Sequence, residues 1–341
     1  MFENSTLIDL ENILKVNASD FENIALRVFN FQYARNPVYR QYCDALRLDV
    51  RTVISMDKVP FLPISFFKSH EVFIGDSQSI AARSQQIAAS DLVFESSGTT
   101  GELTSRHYVR DASIYERSLL AGFEQFYGDP SQYAILALLP SYLERKNASL
   151  VHMAQVLMQH SAHPDNGFYI NEWDQLHNLI MQLGKTGQKI LLLGVTFALL
   201  DFAEAYPGAF RNIIVMETGG MKGRKKEMTR TEVHEFLKSK WHLHEIHSEY
   251  GMTELLSQAY SAADGIFRCT DTMRVLVRDI NDPFDVSSTG SGCLNVIDLA
   301  NVYSCSFIAT EDLGNIAANG SFEVLGRMDH SALRGCSLMA V

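Results

Sequence analysis

The sequence predicts an α/β protein whose C-terminal part is β-rich, and three observations carry that reading. Short apolar runs at 133–139, 189–194, 212–216 and 242–247 have the length and composition of strands. They alternate with stretches at 111–126, 147–161, 172–185, 196–206 and 225–239, where apolar side chains recur at helical spacing. Beyond Gly265 the pattern changes to short strands at 267–270, 273–277 and 292–297 with turn residues between them. Strand and helix in alternation imply parallel pairing, because a parallel crossover needs a long connection that a helix fills.

Ahead of this core, residues 7–47 carry Leu10, Ile13, Leu14, Phe21, Ile24, Ala25, Val28 and Phe29 at helical intervals, and the Asn36-Pro37 step breaks the pattern. Pro60 and Pro63 with Phe61, Phe66 and Phe67 form an irregular apolar segment suited to packing. The expected organisation is a helical segment over 1–58, an α/β core over 59–264 and a β-rich region with a tail over 265–341.

Composition narrows the function. The chain has 341 residues, 46% of them hydrophobic and 20% charged, enough apolar surface to offset chain entropy without disulfide or metal staples. A formal net charge of −11 disfavours nucleic acid and anionic membranes as partners. The N-terminus lacks a basic region followed by an apolar core, and no apolar run reaches the roughly 18 residues of a membrane span, so a cytoplasmic protein without an integral membrane segment is expected. Cys43, Cys269, Cys293, Cys305 and Cys336 show no CxxC spacing, which points to reduced thiols.

The sharpest local feature is Ser96-Ser97-Gly98-Thr99-Thr100-Gly101, which follows the strand-like Leu92-Val93-Phe94. Glycines let the backbone approach an anion and turn its N–H groups inward, while Ser and Thr hydroxyls add donors without bulk. The same composition also makes a solvated turn, and the lysine of a Walker loop is missing. Downstream stands Tyr250-Gly251-Met252-Thr253-Glu254. A carboxylate such as Glu254 near bound phosphates suits Mg²⁺, which prefers hard oxygen ligands, although a glutamate there also serves as a helix cap. Then come Thr310-Glu311-Asp312-Leu313-Gly314 and Gly326-Arg327-Met328-Asp329, and earlier Thr218-Gly219-Gly220-Met221.

Taken in order, these segments resemble the signatures of the adenylate-forming superfamily, with Glu311 in place of a usual glycine. The resemblance implies the large N-terminal-domain architecture of that superfamily, with ATP and Mg²⁺ as cofactors. By the same resemblance Ser96, Ser97, Gly98, Thr99, Thr100 and Gly101 hold phosphate, Thr253 contacts phosphate and Glu254 holds the metal. It places Tyr250 and Gly251 in the nucleotide site, Gly219 and Gly220 beside adenine, Asp312 on the ribose hydroxyls and Arg327 on the nucleotide.

The sequence ends at Val341, soon after Asp329, where the superfamily continues into a small C-terminal domain with a catalytic lysine, so that domain is expected to be lacking. The shorter branch it resembles is the acyl-protein synthetase family of the bioluminescence fatty-acid reductase system, to which 60–68, 139–145 and 218–223 are also similar. That resemblance implies activation of a fatty or related carboxylic acid and acylation of a cysteine near the C-terminus. Here the cysteine is Cys336, with Arg334 beside it to favour the thiolate. The acyl group then passes to an acceptor protein, a reductase or carrier, or to coenzyme A. Cys336 reads equally as a small core residue, and Cys305, alternating with apolar neighbours, reads as core. His242, His244 and His247 fit structure better than a metal site, Lys222, Arg224, Lys225 and Lys226 fit a solvated helix start, and Arg106 is a cation near the phosphate loop.

Overall fold

The computed structural model describes residues 9–75, 92–96, 103–139, 147–219 and 228–328. Three helices open it: α1 (Leu10–Leu14), α2 (Phe21–Arg35) and α3 (Pro37–Ala45). Asn36 is the reason for the break between the last two. It ends α2 through its N–H to the Gln32 carbonyl, and its side chain accepts from the N–H groups of Val38 and Tyr39 to start α3, with Pro37 at the first position where no donor is needed.

Among the described residues, thirteen strands form one mixed sheet. Its parallel half contains β4 (Tyr133–Leu138), β5 (Gly167–Phe168), β6 (Lys189–Gly194), β7 (Ile213–Glu217) and β8 (His247–Tyr250), in the order β5-β4-β6-β7-β8. Strands β4 and β6 are apolar runs because helices cover both faces of a parallel sheet. After the short α4 (Phe66–Ser69), the helices in this half are α5 (Ala112–Tyr127), α6 (Ser149–Ser161), α7 (Trp173–Thr186), α8 (Thr196–Ala205) and α9 (Arg230–Trp241). The sheet continues antiparallel through β9 (Ala259–Ser261), β10 (Ile266–Cys269) and β15 (Phe322–Arg327). It then runs through β14 (Phe307–Ile316), β13 (Gly290–Asp298), β11 (Met273–Arg278) and β12 (Val286–Ser287). Strand β1 (Leu62–Pro63) joins β14 in parallel, from the proline-flanked segment. A separate hairpin pairs β2 (Leu92–Glu95) with β3 (Arg106–Val109).

One expected strand moves. The 242–247 run is not a strand over its length: α9 continues to the buried Trp241, and His242 closes it in the left-handed region at φ 54°. The capping box between Thr229 and Glu232 fixes the other end of that helix, so the strand begins only at His247, where Met216 and Glu217 of β7 offer it a partner.

Two cores hold the molecule. Leu136, Leu192, Phe202 and Trp241 belong to the one around the parallel strands. Phe29, Tyr39, Phe61, Leu294, Cys305 and Phe307 belong to the other, where the N-terminal helices pack on the β-rich part. Gln32 fastens that contact, donating to the carbonyls of Asn301 and Val302 and accepting from the Ser306 N–H. No described helix is long and apolar enough to cross a membrane.

Candidate active site

The hairpin β2–β3 delivers the ends of the hydroxyl-rich loop to one place. Ser96 donates its N–H to the Ser105 carbonyl at 3.1 Å, and the Ser105 N–H returns a bond to Ser96 Oγ at 2.9 Å. One residue further from the loop, Glu95 and Arg106 are paired across the strands and form an ion pair at 3.3 Å. Arg106 is therefore committed to Glu95. Residues Ser97, Gly98, Thr99, Thr100 and Gly101 lie outside the described residues.

Glu254 comes to the same place from β8. Its carboxyl is buried, which raises its pKa, while a hydrogen bond from the Ser105 side chain and the charges of Arg327 and Lys68 favour the anion. Ser96, Ser105 and Glu254 are thus contiguous, although the sequence separates the first and last by most of the α/β half.

Three further residues join from three strands. The Tyr250 hydroxyl donates to Asp312 Oδ2 at 2.9 Å, and Arg327 Nε donates to Asp312 Oδ1 at 3.0 Å. Asp312 on β14 and Arg327 on β15 are cross-strand partners, so the ion pair follows from register. Burial and then the Asp312 charge push the Tyr250 phenol well above its ordinary range. Asp312 is buried whereas the Arg327 side chain is largely exposed.

Gly219, two residues past the end of β7, has φ +78°, where a side chain would be strained, and donates its N–H to Glu217 Oε1 at 2.7 Å. Glu217 also takes hydrogen bonds from Thr196 and Ser248. Gly220 and the basic cluster from Lys222 to Lys226 lie outside the described residues, as does Cys336. Cys305 is fully buried in the core, and burial pushes its thiol far up. His242 and His244 are exposed, and no described group of three His, Cys, Asp or Glu comes together as a metal cage.

Sequence reasoning missed the residues that hold this site. His107 on β3 is fully buried, with Nδ1 at 2.9 Å from the Thr253 carbonyl and Nε2 at 2.9 Å from Asn301 Oδ1. Both partners are carbonyl oxygens, which only accept, so a neutral ring with its one N–H satisfies one of them at a time. Asn301 in turn donates to the Glu254 carbonyl at 2.7 Å. Asp298 accepts from the N–H groups of Leu256, Ser257 and Ala300 and from the Ser257 hydroxyl, which fixes the turn after Glu254. Each acts through backbone atoms distant in sequence, so neither residue type nor spacing marks them.

Burial holds the His107 imidazole down to about 4 against an ordinary 6.5. The folded chain therefore binds fewer protons at this residue than the unfolded chain between those values, and its stabilising effect is present above 6.5 and lost towards 4. The stability difference between wild type and His107→Asn, followed by urea unfolding, is expected to shrink as pH falls through this window. A difference that stays constant from pH 7 to 4.5 would contradict the assignment.

With this geometry in hand, comparison with known proteins is informative. The family described as acyl-protein synthetase, LuxE, matches residues 15–340. The chain belongs to that family. No curated protein matches it in sequence. Among solved structures, a 2-hydroxyisobutyryl-CoA ligase in the postadenylation state with 2-HIB-AMP superposes with a TM-score of 0.65 at 12% identity, covering 96% of this chain and 74% of that one. ATP-bound MatB from Rhodopseudomonas palustris gives 0.51 at 16%, covering 70% and 48%. The chain spans about half, 48%, of that ligase's length. At these identities the likeness is one of fold: this LuxE-family chain has the α/β architecture of the N-terminal part of adenylate-forming ligases.

Proposed function

We propose that the chain activates a carboxylic acid with ATP, forming an acyl-adenylate, and passes the acyl group to a thiol. The observation that supports this best is the junction of Tyr250, Asp312 and Arg327 beside Glu254 and the Ser96–Ser105 closure, six residues brought together from four separated segments. Asp312 and Arg327 then meet the nucleoside end, and Gly219 and Gly220 line the base. The loop from Ser96 through Ser97, Gly98, Thr99 and Thr100 to Gly101, with Thr253, takes the phosphates.

In the chemical step a carboxylate oxygen of the acid attacks the α-phosphorus, an O–P bond forms, and the bond to the β-phosphate breaks as pyrophosphate leaves. The chain's part is positioning and stabilisation of charge. Glu254 is a single buried carboxylate with one hydroxyl donor, and this donor set fits Mg²⁺, a cation usually held by one or two carboxylates and by substrate phosphates. When bound there, Mg²⁺ supplies neutralisation of phosphate charge.

The acceptor in this reading is Cys336. Its thiolate attacks the acyl carbon, a thioester forms and AMP leaves, after which a reductase, carrier or coenzyme A receives the acyl group. Incubation with ATP, Mg²⁺ and a panel of acids should give an acyl-sized gain in intact mass that hydroxylamine removes and Cys336→Ser lacks. Pyrophosphate release without any such gain would move the acceptor to a separate molecule.

A further inference from the structure

Successive residues of a strand face opposite ways. On β8, Ser248 and Tyr250 turn towards Glu217 and Asp312, so His247 and Glu249 share the other face. The cross-strand partner of Glu249 is Tyr260 on β9, and directly opposed residues of an antiparallel pair lie on one face. Helix α5 covers that face: the rings of Phe126 and Tyr127 lie 5.2 and 5.4 Å from the Tyr260 ring, and the Tyr127 hydroxyl is 3.3 Å from His247 Nδ1. The result is an aromatic cluster packed on the far face of β8, behind the Tyr250–Glu254 segment.

Two of its polar groups lack partners. The Tyr260 hydroxyl and Gln258 Oε1 are buried with no hydrogen bond, in residues only 2% and 3% exposed. An unpaired buried group of this kind leaves its lost hydration uncompensated, so two together call for an explanation. Glu249 completes the set. Its carboxyl lies over Gly251, where any Cβ would collide with Glu249 Oε1, and the Gln258 Cγ is also near that point. Gly251 is exposed and Glu249 partly so, which places the open side of this cluster next to the Tyr250–Glu254 segment. Burial and the neighbouring Glu217 push the Glu249 carboxyl up to about 8, which makes it a donor as well as an acceptor at neutral pH.

We propose that Glu249, Gln258 and Tyr260 receive a hydroxyl group of the acid being activated, selecting a hydroxy acid over an unsubstituted alkyl acid of equal length. The inference rests on the adenylation reading above. A hydroxyl donates to Gln258 Oε1 while accepting from Tyr260 or Glu249, whereas an alkyl chain buries all three unpaired. Sites built to hydrogen-bond a substrate reject analogues that lack the group far more strongly than apolar pockets reject an extra one.

The test measures acid-dependent pyrophosphate release by the full chain with butyrate, the isomeric hydroxybutyrates and octanoate. The best hydroxybutyrate should exceed butyrate in kcat/KM by about 10–100-fold, as expected for one or two lost hydrogen bonds. Glu249→Leu should bring that ratio close to one. Tyr260→Phe, which removes only an unpartnered oxygen and should fold, should also lower it. Butyrate or octanoate matching every hydroxy acid, or an unchanged ratio in Tyr260→Phe, overturns the proposal. If no acid releases pyrophosphate, the adenylation reading has failed instead. Saturation-transfer NMR of the same acids then decides, and equal binding of butyrate overturns the role of Glu249, Gln258 and Tyr260.

Discussion

Glu254→Gln is expected to lower carboxylate-dependent pyrophosphate release by about 10²–10³-fold, the scale of losing one preorganised charge at a reacting phosphate. The substitution keeps shape and removes the anion. Burial of the Glu254 carboxyl raises its pKa, so the folded chain disfavours the charge that the proposed chemistry uses. A neutral amide relieves that penalty. Thermal unfolding should therefore shift little or upward while turnover collapses, and a fall in both together would assign Glu254 to the fold rather than to the reaction.

The largest stability effect is expected at Asp298. This carboxylate is fully buried and accepts four hydrogen bonds, three from backbone N–H groups and one from the Ser257 hydroxyl. Asp298→Ala leaves those donors unpaired in the interior, a loss of about 3–5 kcal/mol in urea unfolding. Because the same donors set the turn after Glu254, ATP affinity should weaken as well. Asp298→Asn keeps an acceptor oxygen and should lose less on both counts. Equal stability of wild type and Asp298→Ala would show that the turn is held by something else.

These two residues mark the limit of what the sequence reveals. Glu254, Asp312 and Arg327 were singled out through the resemblance of short ordered segments, and the fold brings the three near one another. The parallel strands at 189–194 and 133–139 were legible because burial on both faces requires an uninterrupted apolar run. Asp298 was not legible, since an aspartate ending an apolar run also reads as a surface turn, and its partners lie 41 and 42 residues away. His107 meets the Thr253 carbonyl across 146 residues and Asn301 across 194. The N-terminal helices were readable as helices, but Gln32 finds its partners 269 to 274 residues further on. The misplaced 242–247 strand has the same origin: helix and strand compete for a short apolar run, and only the pairing edge of β7 decides where the helix yields.

The most direct test of the central claim is ATP–pyrophosphate exchange, because reversible exchange occurs only if an acid and ATP form an adenylate on the protein. Labelled pyrophosphate should enter ATP when a carboxylic acid is present, not in its absence, and Glu254→Gln should suppress the signal. Acid-independent exchange, or ATP binding without exchange for any acid tried, would contradict the account.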